Sequence, residues 1–283
     1  MTPLVLRGRT FAWGVRTHVM GILNVTPDSF SGDGLLAGED PVAAAVAQAR
    51  RMAADGADLL DIGGESTRPG HETVTTSDEI ARVVPVIAAV RAALPDLPLS
   101  VDTTKAAVAE AALEAGADLL NDVTGTAPDA VLHRVAAARG VPLILMHGRR
   151  ASPFTDVVTE VILDLRAAVE RAERAGCDPA SLLVDPGFGF GKDASQNLEL
   201  LRDLARFRAL DRPVLLGTSR KSTIGRVLDL PPEERLEGTL ATTALGIAAG
   251  VDLVRVHDVR ENVRVARMAD AIVRGWHDPD VAR

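Results

Sequence analysis

The chain has 283 residues, 47% of them hydrophobic and 25% charged, a composition typical of a globular protein with a large apolar core. Its formal net charge of -8 argues against a nucleic-acid partner or an anionic membrane surface, because either needs a basic face. One cysteine excludes an internal disulfide, and without an apolar leader or a run of about 18 apolar residues we expect a cytoplasmic protein with no membrane partner.

The predicted elements alternate along the chain. Residues 4–17 predict a short hairpin with a glycine turn. The apolar segments that follow are typical of parallel strands buried on both faces, and they span residues 19–24, 58–62, 98–102, 118–122, 142–146, 181–185, 213–217 and 252–256. Amphipathic segments predict helices near residues 40–55, 78–93, 105–115, 128–139, 156–175, 196–208, 233–249 and 260–274. Five helices end in a glycine just before the next strand, as expected of C-terminal caps: Gly56, Gly116, Gly140, Gly176 and Gly250.

Repeated strand–helix pairs predict an α/β fold, a single (β/α)8 TIM barrel over residues 1–283 with a short N-terminal hairpin. An open, doubly wound sheet is the alternative. It would normally carry a glycine-rich dinucleotide turn after its first strand, and residues 21–28 have none.

Polar residues follow most of the predicted strands. In a barrel, the loops after the strands build the active site, so these residues are expected to converge. They lie at residues 24–28, 61–70, 102–103, 121–122, 185–187, 219–221 and 255–258.

Two aspartates and an asparagine predict a site for a flat heterocycle. Asp102 and Asp185 each end a strand, and Asn121 ends a strand between them. Carboxylates accept from amino and ring N–H groups, and an amide both donates and accepts. A metal site is the alternative for the aspartates, and a helix N-cap is a second alternative for Asp102.

Lys221 directly follows the seventh predicted strand. A lysine at a barrel mouth is either a charged donor to a substrate carbonyl or ring nitrogen, or a Schiff-base nucleophile. A solvated loop lysine is the alternative without a function.

Arg255 and His257 alternate at the end of the eighth strand and therefore share one face. Together with the loop of Asn24 they predict a pocket for a diphosphate and its metal. A structural ion pair of Arg255 with Asp258 or Asp252 is the alternative.

Three further loops contribute candidates. Thr67 and Arg68 offer a hydroxyl and a cation to an anionic group. Residues 185–192, DPGFGFGK, predict a loop with two exposed aromatics, of which Phe190 would form a flat wall for an aromatic substrate. A phosphate cradle in this loop is less favoured because no helix is expected directly after it. His147 either lines the site or packs locally.

Two sequence blocks resemble the signature blocks of the dihydropteroate synthase family. They are residues 20–31, MGILNVTPDSFS, and residues 61–70, DIGGESTRPG. The resemblance continues through residues 100–103, 121–125, 185–192, 219–222 and 255–258, so it extends over most of the chain.

The resemblance implies a homodimeric transferase of folate biosynthesis. Such enzymes condense 6-hydroxymethyl-7,8-dihydropterin diphosphate with p-aminobenzoate, release diphosphate, and are the target of sulfonamides. The residues implied to hold the pterin are Asp102, Asn121, Asp185, Lys221 and Arg255, of which Asp102, Asp185 and Lys221 are also the implied catalytic residues. The implied diphosphate residues are Asn24, Thr67, Arg68, Arg255 and His257, with Mg²⁺ on Asn24. Those implied to surround p-aminobenzoate are Thr67, Pro69, Phe190 and Ser222.

Some positions depart from the family pattern. The first loop has Gly32 followed by Asp33 in the reverse of the usual order, which leaves the role of Asp33 open. The fifth-strand loop has Gly148 and Arg149 after His147, where a Met or Trp commonly follows the His, and Thr218 and Thr223 stand where apolar residues are usual.

Two other functions remain open from the residues. A methyltetrahydrofolate-dependent methyltransferase would share the Asp and Asn set but lack the Ser-Arg-Lys and Arg-x-His elements together. A non-catalytic pterin-binding paralogue would be expected to have lost one of four residues that are all present here: Asn24, Arg68, Lys221 and His257.

Overall fold

A computed structural model describes residues 1–26, 40–65, 73–148 and 154–276. Its first two strands, β1 (Leu4–Leu6) and β2 (Arg9–Phe11), form the expected antiparallel hairpin. Eight parallel strands follow, each within a residue or two of its predicted bounds: β3 (His18–Asn24), β4 (Leu59–Gly63), β5 (Leu99–Asp102), β6 (Leu119–Asp122), β7 (Leu143–Met146), β8 (Leu182–Asp185), β9 (Leu215–Leu216) and β10 (Leu253–Val256).

The parallel strands close into a barrel. Their order is β8-β7-β6-β5-β4-β3-β10-β9. The two ends of this series meet where Val184 of β8 pairs with Val214, and the Val184 N–H donates to the Pro213 carbonyl at 3.0 Å. The predicted barrel is therefore confirmed, and the open sheet is wrong.

Helices cover the outside of the barrel. They are α1 (Pro41–Ala54), α2 (Thr76–Ala93), α3 (Ala106–Ala115), α4 (Leu132–Arg139), α5 (Val157–Arg174), α6 (Ala194–Arg202), α7 (Ser222–Leu228), α8 (Leu236–Ala248) and α9 (Val259–Arg274). Gly116 and Gly140 are left-handed C-caps, with φ of 115° and 63°, as the sequence predicts. None of the helices in these described ranges is long and apolar enough to cross a membrane.

Two elements differ from the sequence prediction. α6 ends at Arg202 and a 3-10 helix over Leu204–Leu210 replaces its predicted last turns. α7 is not predicted, because its Ser, Thr, Ile and Gly residues are poor local helix formers. Tertiary contacts support it instead: Thr223 is buried, and its hydroxyl accepts from the Asn197 side chain at 3.2 Å.

The barrel interior changes from apolar to polar along the strands. At its amino-terminal end, one buried cluster joins Phe11 and Trp13 of the hairpin segment with Met20, Leu59, Leu119, Ile144, Leu183, Leu215 and Leu253. Because side chains alternate faces, residues two positions later point to the same interior. Of the seven strand positions reached in this way, four are polar, Asp61, Asn121, Asp185 and Arg255, and the others are Ile22, Met146 and Gly217. A mainly polar layer therefore lies directly above an apolar floor.

Candidate active site

Three predicted site residues, Asn24, Asp102 and Asn121, lie at one height across neighbouring strands, together with Gly63. Asn24 of β3 is the Cα partner of Gly63, Gly63 of Asp102, and Asp102 of Asn121. Asn24 is half-buried, and its side chain bonds to no other described residue. The carboxyl ends of β3 to β6 therefore bring an amide, a carboxylate and a second amide to the barrel mouth.

A buried ion-pair network connects opposite parts of the barrel. The Arg255 Nε donates to Asp61 Oδ2 at 2.6 Å, and its Nη2 donates to Asp102 Oδ2 at 2.9 Å. Asn121 Nδ2 also donates to Asp61 Oδ2, at 3.0 Å. The Asp61 side chain is fully buried. From the sequence, Asp61 belongs to the polar segment 61–70 but is assigned no role, because its partners lie on distant parts of the chain.

The structural alternatives for Arg255 and Asp102 are wrong. Asp258 accepts from Arg220 instead of Arg255, at 3.0 and 2.5 Å. Asp252 accepts from the backbone N–H groups of Gly14 and Val214. Asp102 does not cap α3, which begins after Lys105 without any side-chain cap. The side chains of Arg255 and Asp102 thus bond to each other inside the barrel.

Lys221 lies inside the site and not in solvent. Its Nζ donates to the Phe188 carbonyl and lies 4.5 Å from the centre of the Phe190 ring. A Cβ placed on Gly217 would lie 3.9 Å from both Lys221 Nζ and Asp185 Oδ2. The ammonium and the carboxylate therefore flank the open space above Gly217.

The glycine-spaced loop after β8 is held by its own lysine. Lys192 Nζ donates to the carbonyls of Gly187 and Phe190, each at 3.0 Å. Phe188 is 1% exposed, so the expectation of two exposed aromatics is wrong, although Phe190 is half-buried beside Lys221. α6 begins just after the loop, also against expectation, yet these two carbonyls converge on an internal cation and form no phosphate cradle.

His147 packs locally beneath this loop. The ring is fully buried, with Nε2 3.1 Å from Asp164 Oδ2 and Nδ1 2.9 Å from Lys192 Nζ. Burial, aided by the Lys192 charge, lowers the pKa of His147 to about 4. The sequence leaves open whether His147 lines the site or packs locally, and the structure shows local packing.

The remaining candidates are distributed around the mouth. His257 Nδ1 lies 2.9 Å from the Ser219 hydroxyl, which also accepts from the His257 backbone N–H. Ser222 is exposed at the start of α7. Five positions that the sequence analysis names lie outside the described residues: Asp33, Thr67, Arg68, Pro69 and Arg149.

Burial perturbs the titration of the charged groups. It raises the pKa of Asp102 to about 7, against the opposing effect of Arg255, and it raises the pKa of Asp185 against Lys221. It lowers the pKa of Lys221 to about 8. The buried Oδ1 atoms of Asp61 and Asp102 accept no hydrogen bond. A ligand that brings N–H donors would satisfy the Asp102 atom.

Buried carboxylates, an amide and two cations at one barrel mouth match a flat ring rich in N–H and carbonyl groups and a neighbouring anionic group. Among the described residues there is no cluster of three or more His, Cys, Asp or Glu that could hold a metal.

The chain is similar in sequence and structure to known pterin-binding proteins. The pterin binding enzyme family matches residues 20–257. A dihydropteroate synthase of Clostridium beijerinckii is 49% identical over 94% of this chain and 98% of that protein. The structure of a Clostridium difficile dihydropteroate synthase in the presence of pteroic acid has a TM-score of 0.88 and 47% identity, covering 93% of this chain and 99% of that one. The Xanthomonas albilineans enzyme in complex with 7,8-dihydropteroate has a TM-score of 0.85 and 44% identity, covering 96% and 98%. The chain thus belongs to the pterin-binding enzymes and, among them, to the dihydropteroate synthase family.

Replacing Asp102 by Asn should change how stability depends on pH. The folded carboxyl has a pKa of about 7, above its ordinary 3.8, so it stays protonated where the unfolded one ionises. As the pH rises from about 4 to 7, this difference lowers the free energy of unfolding of the wild type. The Asp102→Asn variant lacks this loss and should gain about 1 to 2 kcal/mol relative to wild type between pH 5 and pH 7.5.

Urea denaturation at the two pH values measures this gain. Asp129→Asn, at an exposed position, is the matched control, and its free energy of unfolding should differ from that of the wild type by the same amount at both pH values. An Asp102→Asn difference that is equal at pH 5 and pH 7.5 contradicts the raised pKa.

Proposed function

We infer that the chain is a dihydropteroate synthase, a transferase that joins 6-hydroxymethyl-7,8-dihydropterin diphosphate to p-aminobenzoate and releases diphosphate. The observation that carries this is the convergence of two carboxylates, an amide and two cations in one barrel mouth: Asp102, Asp185, Asn121, Lys221 and Arg255. The neighbour solved with 7,8-dihydropteroate supports it. We also propose that the enzyme works in the cytoplasm, which suits its single, free and buried Cys177.

Each group has a matching partner on the pterin. Asp102 and Asp185 accept from its amino and ring N–H groups, and Lys221 donates to its carbonyl or a ring nitrogen. Phe190 supplies an aromatic wall for p-aminobenzoate, and Ser222 lies at the start of the next helix. Thr67, Arg68 and Pro69 are proposed to complete the sites for p-aminobenzoate and diphosphate.

The reaction exchanges one bond for another at the pterin methylene. The C–O bond to diphosphate breaks, and its electron pair leaves with the diphosphate. The amine nitrogen of p-aminobenzoate forms the new C–N bond and then loses one proton. Asp102 and Asp185 stabilise positive charge that develops on the pterin, while Arg255 and His257 face the departing negative charge. The amine needs to be oriented but not deprotonated beforehand. Holding its nitrogen next to the pterin methylene therefore accounts for much of the rate acceleration.

Changing Lys221 to Gln should weaken use of the pterin substrate selectively. The variant keeps a hydrogen-bond donor but loses the charge, so kcat/KM for the pterin diphosphate should fall by about 10- to 100-fold. The KM for p-aminobenzoate should change less. Diphosphate release with both substrates measures the effect, and dihydropteroate must form in equal amount.

The exposed Arg226→Gln on α7 is the control and should behave as wild type. Wild-type protein that forms no dihydropteroate contradicts the function. A Lys221→Gln variant with unchanged kcat/KM contradicts only the role of this lysine.

We propose that Mg²⁺ accompanies the diphosphate at Asn24. The donor set fits this ion, because Mg²⁺ typically takes one or two protein oxygens and completes its shell with phosphate oxygens and water. The Asn24 amide is half-buried at the mouth and bonds to no described residue, so its oxygen is available. When bound, the ion would neutralise charge on the leaving diphosphate.

The test is binding of inorganic diphosphate by calorimetry with and without Mg²⁺. Chelation should weaken binding by about 10-fold or more in the wild type. Asn24→Leu should bind diphosphate equally weakly with and without Mg²⁺. The control Arg226→Gln, at an exposed position on α7, should bind diphosphate as the wild type does, with the same dependence on Mg²⁺. A Mg²⁺ effect that survives in Asn24→Leu assigns the ion to other groups.

We propose that two chains form a homodimer through α8 and α9. These neighbouring helices expose a set of large apolar side chains: Leu245, Met268, Ile272, Val273 and the adjacent Trp276. Met268 and Ile272 are 63% and 72% exposed, and large exposed apolar patches mark interaction surfaces.

Ile272→Glu should shift the protein toward monomer in sedimentation velocity at micromolar concentration, because burying a carboxylate in an apolar interface is unfavourable. Leu163→Glu, at an exposed apolar position on α5, should leave the dimer intact. A wild-type monomer, or an equally stable Ile272→Glu dimer, contradicts this interface.

A further inference from the structure

We propose that Asp61 is a positioning residue of the pterin site: it fixes which end of the Asn121 amide faces the substrate and anchors the guanidinium of Arg255. The inference rests on the proposed function. Asp61 lies on β4, is 0% exposed, and is bonded through one oxygen to both residues. Because its side chain is fully buried and bonded to both residues, we infer that it acts through these partners.

The carboxylate determines the direction of the Asn121 amide. A carboxylate paired with Arg255 only accepts hydrogen bonds, so Asn121 must turn its Nδ2 toward Asp61, as the 3.0 Å contact shows. The amide oxygen then points away from Asp61, as an acceptor for a pterin N–H. With an amide at position 61, either orientation of Asn121 is allowed, and the acceptor can be replaced by a donor.

The same carboxylate holds Arg255 from a second side. Asp61 takes Nε at 2.6 Å and Asp102 takes Nη2 at 2.9 Å, so two strands fix the plane of the guanidinium. The remaining nitrogen, Nη1, bonds to no described residue. Without Asp61, only the contact with Asp102 restrains this side chain, and its fixed geometry is lost.

A third consequence is electrostatic. Burial raises the pKa of Asp102 most, and the nearby charge of Asp61 raises it further. Neutralising Asp61 should therefore lower the pKa of Asp102. A residue that merely fills the core would leave this titration unchanged.

The first test measures binding of 6-hydroxymethyl-7,8-dihydropterin by calorimetry. Asp61→Asn keeps the shape of the side chain and should raise the Kd by about 10-fold or more, while KM for p-aminobenzoate changes less than threefold. The control is Asp122→Asn, a buried aspartate on β6 whose side chain bonds to Thr124 and makes no hydrogen bond to the side chains of Asn121 or Arg255; its Kd should remain within threefold of wild type.

An exchange of the two residues distinguishes positioning from folding. In the double variant Asp61→Asn with Asn121→Asp, the amide N–H at 61 can donate to the carboxylate at 121, and the amide oxygen at 61 can accept from Arg255. The carboxylate at 121 then again offers an acceptor to the pterin. The double variant should bind at least threefold more tightly than Asp61→Asn alone. An exchange that fails to improve binding, in a protein with a cooperative melting transition, overturns the orientation argument.

The pH profile supplies a second, independent readout. The acid limb of kcat/KM for the pterin diphosphate should move to lower pH in Asp61→Asn, and an acid limb that stays in place or moves up contradicts the electrostatic coupling. If the wild type does not bind the pterin at all, the proposed function fails. If the wild type binds it and Asp61→Asn binds it equally well, only the role of Asp61 fails.

Discussion

The guanidinium of Arg255, held between two carboxylates inside the barrel, is the interaction on which the geometry of the site depends. It reaches from the last strand to Asp61 and Asp102 on two strands near the start of the chain. Removing such ions from water costs several kcal/mol each, and pairing compensates only when the geometry is good and further hydrogen bonds are made. Asn121 supplies one of these bonds. The buried Oδ1 atoms of Asp61 and Asp102 accept no hydrogen bond from the described residues, so the network itself does not satisfy all of its acceptors.

The three lysines of the chain lie where several oxygen atoms converge. All of its other side chains that are positively charged at pH 7 are arginines. Lys221 faces the pterin region, and Lys192 gathers loop carbonyls beneath it. The third, Lys105, bridges Glu65 and the buried Glu79 at 2.5 and 2.6 Å. A compact ammonium with three donors suits several oxygens that converge on one point, which a planar guanidinium does not.

The sequence predicts the barrel and the convergence of the site well, for a local reason. Polar residues at the ends of predicted strands, such as Asp102, Asp185 and Arg255, are expected to meet at one end of a barrel. It does not predict partners, since Asp61 and Arg255 are 194 residues apart. It also misses α7, because tertiary burial and not local propensity forms that helix.

Several of the groups proposed to bind the pterin lie at strand ends, and two glycines lie beside them. At Gly63 a Cβ would lie 3.5 Å from the Cβ of Asp102, and at Gly217 it would lie 3.9 Å from Lys221 Nζ. These contacts are ordinary in distance, so the fold itself does not exclude a methyl group. A side chain at either position would instead project toward the ligand space and occupy part of the hollow. The two glycines therefore shape the site by leaving room for a flat ring, while neighbouring strands supply the charges that bind it.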